Sequence, residues 1–340
     1  MPLLAHRAFQ TGMLLLLVLT TLWTGCGDSD VSSNAASDDA GQARIVTTIE
    51  PLGMILWELT RGRRSVEILL DPGSSPHTYE PTPSAVRAIN GSVMLVHAHE
   101  HLDGWVTSLP ASRSLELAPL IPPANRISMP SPDHERQAGH VQSSSHDDTH
   151  DGLDPHFWAS PAVVQSMIPA LVDSLCAADA DGCSTYRKNG DAFITDLEAI
   201  HRRIASMLRP VKGTPVMLAQ PFFQYFLTEY DIPVAGVVEP HPGKEPSPQQ
   251  IRALIRTVEE KKPAVIFTQR QLPGRSARVI ARETGIPTVD LDPMGGTTGQ
   301  TTYREFLMHN AREVFRALGP AEAMDRRGEG TAVPSGGPSG

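Results

Sequence analysis

This 340-residue chain lacks the usual catalytic signatures. It has no His-Glu-x-x-His zinc-hydrolase helix, no Gly-x-Ser-x-Gly nucleophile elbow and no Gly-x4-Gly-Lys-Ser/Thr phosphate loop. A lysine-rich stripe is missing too. With a formal net charge of −9 and a pI near 5.8, the chain carries no basic footprint for nucleic acid. Cysteine is scarce, with three in all. No apolar stretch reaches the ~20 residues that span a bilayer, and the N-terminal run is too short for one. A charged-residue share of 20% and a hydrophobic share of 40% exclude a disordered or collagenous chain.

Histidine, by contrast, is plentiful and uneven: thirteen in total, nine of them from His77 to His156. The length suits two compact lobes, since single cores rarely grow beyond ~250–300 residues. An acidic surface is compatible with a cationic cargo, although solubility alone also favours it.

The first residues read as a targeting segment. His6 and Arg7 supply a short polar start, residues 13–23 a mostly apolar core, and Thr24-Gly25-Cys26 the exit. Small residues before a cysteine resemble the lipobox of bacterial lipoproteins, in which the cysteine is lipidated after cleavage. Trp23 departs from that pattern, which usually has leucine three places before the cysteine. The expected division is a signal peptide at 1–25 and a lipidated Cys26. The alternative is ordinary secretory cleavage that leaves Cys26 unmodified. Cys176 and Cys183 then remain as a pair around the small-residue turn at 178–182, where an oxidising compartment favours a disulfide over two free thiols.

Residues 26–43 are small and polar and read as a flexible tether, and 319–340 as a disordered tail. Between them β and α patterns alternate. In the first block, extended runs at 44–49, 65–70 and 93–96 enclose helical stretches at 53–60 and 83–89. In the second, strands at 215–219, 232–238, 264–268 and 286–291 alternate with helices at 221–229, 247 onward, 276–283 and 302–318. Ser247 before Pro248 is a helix cap with proline at the first helical position. Apolar residues at 193, 197, 200, 204 and 208 mark one long helix between the blocks. The expected fold is α/β: two lobes, each a small parallel sheet flanked by helices, joined by one long rigid helix. The boundaries are 44–183 for the N-terminal lobe, 184–210 for the connecting helix and 211–318 for the C-terminal lobe.

Four segments at strand ends or before helices could carry chemistry, since ligand sites of open α/β sheets collect outside the carboxyl ends of strands. They are Pro76-His77-Thr78-Tyr79-Glu80-Pro81, Asp154-Pro155-His156-Phe157-Trp158, Gln220-Pro221-Phe222-Phe223 and Asp290-Leu291-Asp292-Pro293. Together with Leu102-Asp103-Gly104-Trp105 and Glu245-Pro246-Ser247-Pro248, and in this order, they resemble the periplasmic solute-binding lipoproteins of zinc and manganese ABC importers, the zinc-importer substrate-binding protein and TroA-like family. The resemblance covers most of 44–318. It implies metal held in the cleft between the lobes, with His77 and His156 as ligands from one lobe and Asp292 from the other. It further implies an ABC importer permease as partner, a monomeric carrier, and an exported, membrane-tethered location.

Gln220 stands where that family places a histidine or a glutamate. A neutral amide oxygen is a weaker donor to zinc and moves the site toward harder ions such as manganese. Gln220 therefore either coordinates directly, orients a water that completes the shell, or is replaced by His241 swinging in from the same lobe. The loop at 131–151 interleaves His134, His140, His146 and His150 with carboxylates, as the histidine-rich loop of zinc-specific members does, and zinc is the expected cargo for that reason. His97, His99 and His101 share one face if the strand continues through them, and could line the cleft entrance or simply form a satisfied loop. His201 reads as solvated; His309 is assigned nothing. Because imidazole binds metal only when neutral, affinity is expected to fall as pH drops through ~6.5. A metal-dependent adhesin, a manganese carrier and, more remotely, a zinc-dependent hydrolase are the alternatives.

Overall fold

The computed structural model describes residues 44–129, 152–241, 244–272, 274–296 and 299–320. The signal segment with Cys26, the tether at 26–43, the histidine-bearing loop at 131–151 and the tail beyond 320 lie outside the described residues.

The chain begins with β1 (Ile45–Thr47), α1 (Glu50–Thr60) and β2 (Val66–Ile68). It continues with α2 (Pro83–Asn90), β3 (Met94–His97), the single turn α3 (Glu100–Asp103) and β4 (Ser114–Glu116). These four strands form one parallel sheet of order β2-β1-β3-β4. After α4 (Pro161–Ala178) and α5 (Cys183–Leu208) come β5 (Val216–Leu218), α6 (Gln224–Glu229) and β6 (Val234–Val237). The end of the chain supplies α7 (Pro248–Lys261), β7 (Ile266–Gln269), α8 (Arg275–Thr284), β8 (Thr288–Leu291) and α9 (Tyr303–Leu318). The second sheet is also parallel, order β6-β5-β7-β8. Both sheets therefore reverse direction beside their first strand, and each has a crevice at that switch point.

Central strands show why the sheets are parallel and covered. All residues of β1, β3 and β5 are buried, as expected of strands with helices on both faces. Helix starts follow the side chains. Thr82, Ser160, Ser247 and Thr302 each accept a backbone N–H from the first turn they cap, and Ser247 forms a full capping box with Gln250. The connecting helix α5 runs for 26 residues. Gly190 lets it approach α4 closely: an added Cβ there would lie 2.9 Å from a Val172 methyl group. Cys176 and Cys183 are joined as a disulfide across the α4–α5 turn. Asp179 in the same turn accepts from Arg63, Arg64 and the Tyr186 hydroxyl.

Helix α4 is the one helix among the described residues long and apolar enough to cross a membrane. Its Val164, Met167, Ile168, Leu171 and Leu175 are buried in the core, which accounts for that apolarity.

The structure decides one open alternative, adds one strand and corrects one helix start. The strand at 93–96 does not run on through the histidines: β3 ends at His97, His99 caps α3, and the shared face of His97, His99 and His101 is not formed. Strand β4 carries too little pattern in three residues to be anticipated. Helix α6 starts at Gln224 rather than 221, because the Gln220-Pro221-Phe222-Phe223 stretch turns first, with Phe222 N–H bonded to the Gln220 carbonyl at 3.0 Å.

Candidate metal centre

His77 lies in the long connection after β2, on a single 3-10 turn (Pro76–Thr78). Pro76 at its start fixes φ near the helical value. His156 is reached from the opposite side of the same lobe. The chain there pairs Ser128 with Leu153 in an isolated antiparallel bridge, and Asp154 N–H donates to the Ile127 carbonyl at 2.8 Å. The Asp154 carboxylate then folds the next residues onto itself. Its Oδ1 accepts from the His156 backbone at 2.9 Å and from His156 Nδ1 at 2.7 Å. Its Oδ2 accepts from Gln224 Nε2 at 2.9 Å. An ionised carboxylate only accepts, so Nδ1 carries the proton and Nε2 carries the lone pair.

The two imidazoles meet at the cleft with ring centroids 6.0 Å apart and planes inclined by 54°. Between them and the second lobe is a cavity of about 20 Å³, bordered there by Phe222, Gln269, Gln271, Pro293 and Met294. That volume holds one water-sized body, the minimum being ~10–15 Å³. Burial pushes the His77 imidazole down to about 4, with the nearby His156 adding to the shift and Asp103 opposing it. The expected loss of affinity through ~6.5 is therefore displaced for His77, which stays neutral over more than two pH units below the ordinary histidine value.

Asp292 follows β8 and is held on all sides. Its N–H donates to Asn310 Oδ1 and its carbonyl accepts from Asn310 Nδ2, both at 2.9 Å. Its carboxylate Oδ1 accepts from Gly295 N–H at 2.9 Å, Met294 N–H at 3.3 Å and Gln271 Nε2 at 3.4 Å. Gly295 has a φ of 68°, which favours glycine, and an added Cβ would lie 3.2 Å from the terminal methyl of Met54 in the other lobe. Gln220 is buried, donates Nε2 to Glu239 at 2.9 Å and accepts from Gln269 Nε2 at 3.4 Å. Neither Gln220 nor Asp292 borders the cavity itself; Gln269 and Gln271 stand between.

The structure thus brings His77 and His156 together directly and sets Asp292 and Gln220 one side chain behind. Among the described residues, no three His, Cys, Asp or Glu side chains gather as a ready metal cluster. His241 is exposed on its turn, away from the cavity wall. His97 and His99 are buried in the lobe: His97 Nδ1 is 3.7 Å from Asp103, while His99 Nε2 is 3.8 Å from Glu116 and its Nδ1 accepts from His101 N–H. None of the three borders the cavity. His201 keeps 39% of its side chain exposed, in line with the solvated reading, while it bonds Glu229 and stacks on Tyr230.

Asp154, Gln224, Glu239, Gln269 and Gln271 were not foreseen as site residues. Asp154 carried a readable signal, since an Asp two places before a histidine can close an Asx turn on it. Gln269 and Gln271 carried only their position at and just beyond the end of β7.

Comparison with known proteins settles the family. The model of "Zinc-uptake complex component A periplasmic" matches residues 45–317.

The chain belongs to the zinc-uptake component A family.

Members of that family are periplasmic solute-binding proteins, not enzymes. Relatives include the zinc-binding lipoprotein AdcA of Streptococcus pneumoniae, 26% identical over 77% of this chain and 52% of AdcA. The manganese-binding lipoprotein MntA of Halalkalibacterium halodurans is 25% identical over 87% of this chain and 94% of MntA. The high-affinity zinc uptake protein ZnuA of Bacillus subtilis is 24% identical over 84% and 89%. The chain spans about half the length of AdcA and nearly all of the other two. Among solved structures, zinc-bound AdcAII of S. pneumoniae superposes with a TM-score of 0.69 at 21% identity, over 82% of this chain and 99% of that one. The laminin-binding protein of Streptococcus agalactiae, described as both adhesin and metal transporter, gives 0.65 at 20% identity, over 82% and 100%. These likenesses establish the two-lobe fold of the zinc-uptake component A family for this chain.

Proposed function

We propose that the chain captures one divalent transition metal ion, zinc, outside the cytoplasmic membrane and delivers it to an ABC importer permease. The observation that carries this is the pair of imidazoles at a one-ion cavity between the lobes, with His156 held by Asp154 in the tautomer that presents Nε2. A carboxylate behind a ligating histidine is the usual support of a zinc site. His77 and His156 bind from the first lobe and Asp292 supplies the carboxylate from the second. Gln220, with both ends of its amide engaged, orients the wall rather than binding first. The tether runs from a lipidated Cys26, the carrier is a monomer, and the loop with His134, His140, His146 and His150 gathers zinc near the cleft. The zinc-named and lipoprotein-named relatives support this reading.

Manganese is the second reading. The polar groups facing the two histidines across the cavity are amides, oxygen donors suit a harder ion, and a manganese-binding relative aligns over nearly its whole length. The test is calorimetric titration of the mature chain, stripped with chelator, with zinc and with manganese. One tight zinc per chain is expected. Either His77→Ala or His156→Ala should weaken it by more than the roughly 10–100-fold that losing a supporting residue costs. Tight zinc that survives both substitutions would refute the site, and manganese bound as tightly as zinc would favour the second reading.

A further inference from the structure

We propose that Gln271 is itself a metal ligand, its side-chain carbonyl oxygen completing the set formed by His77, His156 and Asp292. This rests on the metal-capture reading above and names the donor that the Gln220 position was expected to supply.

Gln271 follows β7 by two residues and borders the same small cavity as the two histidines. Its amide orientation is decided by Asp292. The Asp292 carboxylate accepts from Gln271 Nε2 at 3.4 Å, and a carboxylate offers no proton in return. The NH2 end therefore faces Asp292, and Oε1 points elsewhere. That Oε1 is shut off from solvent and has no hydrogen-bond partner. Buried acceptors are nearly always satisfied, so an orphan carbonyl oxygen on a side chain that lines a cavity shared with two imidazoles calls for a cation or a donor beside it. Imidazole Nε2 of His156 presents a lone pair, not a proton, and a cation is a species that this lone pair and the amide oxygen can face together.

Gln220 shows the contrast. Its Oε1 already accepts from Gln269, its Nε2 donates to Glu239, and it does not border the cavity. The resulting donor set is two imidazole nitrogens, one carboxylate oxygen and one neutral amide oxygen. Such a set binds zinc while discriminating less against manganese than a set with a third nitrogen would.

The test uses the mature chain and three variants, Gln271→Leu, Gln271→His and Gln220→Leu, each titrated with zinc chloride and manganese chloride after chelator treatment. Circular dichroism of each metal-free variant checks that it folds. Gln271→Leu should lose zinc affinity at least about tenfold and Gln271→His should raise the zinc-to-manganese preference, whereas Gln220→Leu should change zinc affinity less than Gln271→Leu does. A zinc-loaded crystal structure should place Gln271 Oε1 at about the 2.0–2.2 Å of a zinc–oxygen bond. If the parent binds zinc tightly and Gln271→Leu binds it equally well, or if Gln220 rather than Gln271 is found at the ion, this assignment is overturned and the metal-capture reading stands. If the parent binds neither ion, both fall together.

Discussion

At the scale of single residues, His77 ties the site to pH. Its imidazole titrates near 4 in the folded chain, mainly because burial penalises the charged form, against ~6.5 when unfolded. Between those values the unfolded chain binds the extra proton, so acid favours unfolding. Above ~6.5 the contribution is fully present, and it is lost as pH falls toward 4, about 3 kcal/mol at most. Urea unfolding of the metal-free chain at pH 7, 6, 5 and 4 should show that slope, and His77→Gln should flatten it; an unchanged slope in the variant would locate the effect elsewhere. The neighbouring support is Asp154. Asp154→Ala removes the acceptor for His156 Nδ1 and Gln224 Nε2 and should weaken zinc roughly 10–100-fold, read by competition with a chromogenic chelator. Both imidazoles were legible in the sequence through the motifs that contain them. The supporting amides were not, because a glutamine at a strand end has no local pattern that separates a buried wall from a wet surface.

At the scale of elements, the alternation of strand and helix was legible wherever apolar runs were four residues or longer or a cap was present. Ser247-Pro248 and Thr302 marked α7 and α9 to within a residue. What escaped were pieces decided by tertiary contacts: β4, three residues added beside β3, and the turn α3, capped by His99. The α4–α5 corner combines the cysteine pair legible in the sequence with an Asp179 anchor that was not. The Cys176–Cys183 bridge closes a short loop, for which chain-entropy reasoning gives no more than about 2.5 kcal/mol. Asp179 in the same turn is held well below the usual carboxylate range by hydrogen bonds from Arg63 and Arg64, and constrains much of the same loop. The double variant Cys176→Ser/Cys183→Ser should therefore lose less than that figure in chemical denaturation, with zinc affinity unchanged. A loss of zinc binding would mean that this corner positions α5 and, through it, the cleft.

At the scale of the whole molecule, the two lobes are joined by more than the connecting helix. Trp158, two residues after His156, donates its indole N–H to the Pro293 carbonyl at 2.8 Å, immediately after Asp292. Tyr303 on α9 donates its hydroxyl to the Trp158 carbonyl at 2.6 Å, and burial raises the Tyr303 hydroxyl well above its ordinary value, so it stays a donor at any physiological pH. These bonds run parallel to the proposed metal site, from the segment carrying His156 to the segment carrying Asp292. Rotation of one lobe against the other that separated those two residues would also have to break the indole bond. Release of the ion and opening of this seam are then one event, and weakening the seam should speed release without altering the ligands. Trp158→Phe keeps an aromatic ring but removes the donor, leaving the Pro293 carbonyl without it in a buried place, a loss of about 1–3 kcal/mol. Since ~1.4 kcal/mol is tenfold in rate, zinc transfer to a fluorescent chelator in stopped flow should accelerate at least about fivefold, with one zinc per chain still bound at equilibrium. Tyr303→Phe, one bond further from the ion, should accelerate it less. If Trp158→Phe releases zinc at the parent rate, the seam is not what retains the ion, and release proceeds by motion within the His77 loop alone.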